Sequence, residues 1–268
     1  MRAAHAAAAP GAAQDPVLLL CAHGSRSPAA RRTTARITGA VARALPGTTV
    51  LETWVDVQSP DVAQRCEQLA DRPAVVVPLL LAAGYHVRHD LRRAVEGRGH
   101  HVVTGALGPD RRLSELLSRR LAEARPGRGA GQDGGRTRGT DAGGGDGPIV
   151  LIAAGSSDER AVADVRAQAL DLERLTGRAV TAGFVSAARP SAARAVEQVR
   201  AQTRGPVAAA SFLLSPGDFH ERAAEAGADV LSPPLLGADG IAEEIVEIVL
   251  DRRREGLARL GVTGDRRD

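Results

Sequence analysis

Residues 17–28 read VLLLCAHGSRSP, and the fold follows from them. Val17 to Ala22 form an unbroken apolar run, the pattern of a strand buried on both faces. Gly24 then supplies the backbone freedom for a tight exit toward a helix. This leaves His23 on the carboxyl edge of the strand. The phrase returns in the second half of the chain, where Leu20, Ala22, Gly24 and Ser25 recur as Leu151, Ala153, Gly155 and Ser156. Val55, Pro60, Ala63, Glu67 and Gln68 recur without a gap as Val185, Pro190, Ala193, Glu197 and Gln198. The chain is therefore a tandem repeat.

Outward from this stretch, each half alternates strand and helix. In the first half, Val17 to Ala22, Val50 to Val55, Ala74 to Leu81 and His101 to Thr104 read as strands. Helices are expected around Ala29 to Ala44, Asp61 to Ala70, Val87 to Glu96 and Arg111 to Ala124. The second half has strands near Ile149 to Ala153, Val180 to Val185, Val207 to Leu213 and Val230 to Leu231, and a last helix from about Ala242. Short alternating elements imply right-handed βαβ crossovers. The expected fold is α/β, with two similar lobes, each a parallel sheet flanked by helices.

Between the repeats the chain is rich in Gly, Arg and Asp with almost nothing apolar to bury, so 125–147 reads as a flexible linker. The division is then an extension over 1–16, lobes over 17–124 and 148–256, and a tail over 257–268. The Ala-rich extension with its short apolar neighbour fits neither a signal segment nor a membrane span. The two cysteines, Cys21 and Cys66, fit no metal or redox spacing and read as buried thiols of a cytoplasmic protein. Aromatics are 2% of the 268 residues, so the core must be built from Ala, Val, Leu and Ile. All 35 basic residues are Arg, and the net charge is only +3. With one Trp and one Tyr, the chain lacks the basic stripe and stacking aromatics of a nucleic-acid binder.

The chemistry concentrates in the first half. In VVVPLLLAAGYHVRHD (Val75 to Asp90) a strand ends in small residues, and His86 follows Gly84 by two positions, landing on the edge that holds His23. Two imidazoles on one edge suit a divalent transition metal such as iron, cobalt or nickel. The second half has Ala154 in place of His23, while His220 in SPGDFHER is matched to His86, so only the first half has the pair. The second half reads as a wall or lid. Arg26, Arg88, His89, Arg92 and Arg93 are placed around the same edge, and guanidinium groups suit a ligand bearing several carboxylates. Arg26 and Arg88 are the better candidates because they flank the histidines. Asp56 could orient an imidazole or accept a proton, and an ordinary turn aspartate is an equal reading; its counterpart Ser186 is neutral. His100 and His101 open the fourth strand at the opposite edge and read as structural; His5 is in the extension.

Together AHGSR, VDVQSPDV and PLLLAAGYHVRHDL resemble the class II chelatases of tetrapyrrole synthesis, sirohydrochlorin chelatases in particular. The resemblance implies two lobes holding the macrocycle in a cleft between them. It implies that His23 and His86 bind the incoming metal and accept pyrrole protons, with Ser25, Arg26, Asp56, Gly84, Tyr85 and Arg88 contacting the substrate. It further implies a lyase that inserts Fe2+ or Co2+, and possible use of Ni2+, for siroheme or cobalamin, without a nucleotide, a membrane or nucleic acid, as a monomer or homodimer. Two other readings compete. A histidine-phosphatase-like phosphohydrolase would need an arginine where Ala22 stands. A carrier of metal or tetrapyrrole would use the same pocket without turnover.

Overall fold

The structure, a computed structural model, describes residues 15–82, 84–124, 147–237 and 240–262, and describes Tyr85 and His86 by backbone alone. Most of the expected extension and linker, and the end of the tail, lie outside the described residues. The first half runs β1 (Val17–Ala22), α1 (Pro28–Ala44), β2 (Val50–Trp54), α2 (Val62–Gln68), β3 (Ala74–Pro78), α3 (Tyr85–Val95), β4 (His101–Val103) and α4 (Arg111–Glu123). The second repeats it with β5 (Ile149–Ala153), α5 (Glu159–Thr176), β6 (Val180–Phe184), α6 (Ala192–Arg200), β7 (Ala208–Phe212), α7 (Asp218–Ala224), β8 (Val230–Leu231) and α8 (Glu243–Arg259). Each half forms a four-stranded parallel sheet, ordered β2-β1-β3-β4 and β6-β5-β7-β8.

All six residues of β1 and all five of β5 are buried, because helices cover both faces of each sheet. Alternate residues of each strand feed different cores. Val17, Leu19 and Cys21 pack outward with Val62 and Cys66 of α2 and Leu91 of α3. Val150 and Ile152 pack outward with Ala195 and Val199 of α6 and Ala223 of α7. Leu18, Leu20, Ile149 and Leu151 point inward into one core shared by both halves, with Ile37, Leu117, Val165 and Ile248. The result is five layers: helices, sheet, a central layer of α1, α4, α5 and α8, sheet, helices.

The central layer is exchanged between halves. The helix α4 ends the first half yet packs on α5 and β7 of the second, and α8 ends the second yet packs on β3 and β4 of the first. Gly256 of α8 lies so close to Val75 of β3 that a Cβ there would overlap the valine methyl groups. Leu257 is 2% exposed, so α8 and its packing run past the expected start of the tail at 257.

Two other expectations need correction. The third strand ends at Pro78 rather than Leu81: Leu79 still donates to Cys21 O, but Leu80 O and Leu81 O accept from Leu107 N and Gly108 N. The apolar run thus continues as a half-buried crossing loop. Helix α3 begins at Tyr85 rather than Val87, because Gly84 takes the N-cap conformation and its carbonyl accepts from Arg88 N.

Candidate functional site at the facing switch points

In each sheet the chain leaves β1 or β5 toward one side and crosses back to the other, so a crevice opens at the carboxyl ends of β1 and β3, and of β5 and β7. In the first half Cys21 lies opposite Pro78, so the segments after these residues leave the sheet side by side. His23 directly follows β1 and is exposed. His86 is the second residue of α3, the helix that follows β3. The topology therefore brings both expected histidines to the carboxyl edge of two adjacent strands.

The backbone beneath His23 is tightly determined. Its carbonyl accepts from Asp56 N at 3.0 Å. Gly24 adopts φ +98°, and a Cβ there would overlap Asp56 O. Ser25 N donates to Gln58 Oε1 at 3.0 Å, and Ser25 Oγ accepts from Ser27 N at 3.0 Å, so that hydroxyl holds the entry to α1. Asp56 is exposed at the same edge, and its Oδ1 accepts from Val57 N at 2.6 Å. Arg26 is exposed on the turn before α1.

Of the remaining expected basic groups, Arg88 lies near the edge but its guanidinium donates to Asp164 of α5 at 3.1 Å. Burial raises the Asp164 carboxyl above its ordinary range; Arg88 opposes that rise and the charge of Asp158 adds to it. Arg92 and Arg93 are in the last turn of α3, away from the edge that its first turn adjoins. His89 is exposed on the same helix. At the opposite end of the sheet His101 is buried, with Nε2 3.1 Å from Leu69 O and 2.9 Å from Arg72 O, and burial lowers its pKa. His100 packs edge-on against it. Both cysteines are buried, and burial pushes their thiols up to about 12 for Cys21 and about 11 for Cys66.

The helix caps correct the matching of His220 with His86. Arg88 N donates to Gly84 O, and Glu221 N to Gly217 O, each at 3.0 Å, so Gly84 corresponds to Gly217 and His86 to Phe219. Phe219 is 46% exposed. His220 corresponds to Val87, which packs on the outer core, and it too points back to its sheet: Nδ1 lies 3.0 Å from the Oγ of the fully buried Ser211. Burial lowers the His220 pKa. The positions of the histidine pair are thus held by Ala154 and Phe219 in the second half.

The two switch points face each other. A Cβ on Gly84 would sit 2.7 Å from Ser156 Oγ, and one on Gly217 would sit 3.7 Å from Ser27 Oγ. Sequence reading missed Asp164 and Gln58, since each looks like an ordinary solvated polar residue until the fold sets it against the site. Among the described residues, no three His, Cys, Asp or Glu side chains gather into a ready metal cluster.

Two tandem, doubly wound lobes with facing switch points, one carrying a histidine on each of two adjacent connections, define a two-lobed α/β protein. The CbiX family model matches residues 17–124 and again 148–255, and the chain belongs to the CbiX family. It is similar to SirB from Bacillus subtilis, solved with Fe3+, at 19% identity over 91% of this chain and 96% of that one, with a TM-score of 0.69. SirB of Bacillus subtilis subspecies spizizenii, a sirohydrochlorin chelatase solved with cobalt, is 18% identical over 92% of this chain and 98% of that one, with a TM-score of 0.67. A CbiX described as the terminal enzyme of siroheme biosynthesis in denitrifying bacteria is 20% identical over 90% of this chain and 99% of that one, with a TM-score of 0.60. No curated protein sequence gives a significant match. No helix among the described residues is long and apolar enough to cross a membrane.

Proposed function

We propose that this protein is a sirohydrochlorin chelatase of the cytoplasm, a lyase that inserts Fe2+ or Co2+ into the macrocycle on the way to siroheme or cobalamin. The observation that carries the proposal is the placement of His23 and His86 on adjacent connections at one switch point, in a chain of the CbiX family. The metal is a substrate here. For it to enter the ring plane, two pyrrole N–H protons must leave, so each turnover consumes one M2+ and releases two H+.

Neutral imidazole suits both tasks, because a nitrogen lone pair binds a borderline metal and, with a pKa near ~6.5, can also accept a proton near neutral pH. His23 is assigned metal delivery and proton acceptance together with His86. Arg26 offers a guanidinium to a carboxylate of the substrate. Asp56, Ser25, Gly84 and Tyr85 line the same edge in this reading. Ala154 and Phe219 give the facing half no metal ligand at the corresponding places, which makes it the wall of the site. Ala22, in place of the arginine that a phosphohydrolase would set beside its nucleophile, speaks against phosphoryl transfer.

The test is an anaerobic mixture of the protein at substoichiometric amount with sirohydrochlorin and Fe2+ or Co2+, followed by absorbance. Repeated turnover by the wild type, lost toward background in His23→Ala and His86→Ala, is expected. A wild type that never exceeds the uncatalysed rate overturns the proposal.

A further inference from the structure

The second half lacks the histidine pair, yet it makes a charged contact with the helix that carries His86. Arg88 N closes the first turn of α3 on Gly84 O, and the guanidinium of the same residue reaches Asp164 Oδ2 of α5 at 3.1 Å, with both side chains about 30% exposed. Gly84 itself rests against Ser156, the Oγ of which accepts from Asp158 N just before α5. The first turn of α3 therefore sits on the start of α5, fastened by one ion pair.

The internal repeat serves as a control. Arg31 N donates to Ser27 O as Val162 N donates to Asp158 O, so Asp164 corresponds to Thr33, while Arg88 corresponds to Glu221. Thr33 turns its hydroxyl back to Ala29 O and is 5% exposed. Thr33 and Glu221 cannot form the ion pair, and Gly217 stands farther from Ser27 than Gly84 does from Ser156. Among the described residues the charged seat exists only on the side whose helix carries a histidine of the edge pair, His86.

We infer that Asp164 is a positioning residue supplied by the second half: through Arg88 it fixes the first turn of α3, and so the place from which His86 meets the metal. The inference rests on the chelatase site proposed above. It also gives Arg88 a partner inside the protein in place of a substrate carboxylate. Groups that orient a metal ligand from outside the ligand set are worth roughly tenfold to a hundredfold in metal affinity.

The experiment titrates the full-length protein with Co2+ alone, read by its visible absorption, alongside thermal melting and turnover with sirohydrochlorin. Asp164→Asn and Arg88→Gln are each expected to weaken Co2+ binding by roughly tenfold or more. The exchanged pair Arg88→Asp with Asp164→Arg is expected to recover most of it. Unchanged Co2+ affinity in Asp164→Asn, with or without a lower melting temperature, makes the contact merely structural and overturns the inference, as does failure of the exchanged pair to recover affinity. A wild type that binds no Co2+ overturns it as well. A wild type that binds Co2+ in this pattern but inserts none removes the chelatase reading and leaves Asp164 as the positioning residue of a metal-binding site.

Discussion

Arg120 of α4 donates from Nε and Nη2 to a single acceptor, Leu235 O in the second half, at 3.2 Å each. Arg252 of α8 mirrors it by donating to Ala106 O at 2.8 Å in the first half. Each exchanged helix is thereby tied to the loop after the last strand of the half it enters. Arg120 is 6% exposed, and Glu123 balances its charge at 2.8 Å.

Loss of that arginine strands the Leu235 carbonyl in the shared core. A buried acceptor without a partner costs about 1–3 kcal/mol, and Arg120→Met is expected to lower stability by that amount. Arg252→Met should cost less, because its side chain is 20% exposed and water can replace it. Urea denaturation of both variants is the check; equal midpoints for Arg120→Met and wild type would disprove the role of the bond.

Gly24 and Gly155 form a matched pair for separating stability from chemistry. Both have positive φ, +98° and +92°, and at both a Cβ would overlap the carbonyl of the facing turn, Asp56 or Ser186. Alanine at either position is expected to cost about 1–3 kcal/mol through backbone strain. Only Gly24→Ala displaces the neighbour of His23. Thermal melting should therefore drop similarly for the two, whereas Co2+ binding should fall in Gly24→Ala alone; a fall of equal size in Gly155→Ala would show that the first-half edge is not the metal site.

Stability should decline on acidification because of His101 and His220. Burial lowers both pKa values in the fold, so the unfolded chain binds more protons as the pH drops below its own value near ~6.5. The stabilisation is complete above that pH and is lost progressively from there down to the folded pKa values. His101→Gln should flatten the fall in melting temperature between pH 8 and pH 5.5. A slope identical to wild type would mean that His101 is protonated without penalty in the fold.

Much of the architecture is legible in local pattern. Strands buried on both faces must be continuously apolar, so VLLLCA and IVLIA announce themselves. The small residues after them announce the turns, and the repeat of Gly24 as Gly155 gives the two-lobed plan. The same cue misleads at Leu80 and Leu81, where an apolar run is a half-buried loop rather than a strand, because partial burial and strand pairing leave the same composition.

The sequence by itself determined the two parallel sheets, the tandem repeat and the arrival of His23 and His86 at one edge, since apolar period and glycine turns act over a few residues. Only the tertiary structure decided that α4 and α8 change places, that His220 turns inward to Ser211, and that Asp164 meets Arg88 across 76 positions of chain. Those outcomes depend on which faces pack together, and packing between distant segments leaves no periodic mark in either of them.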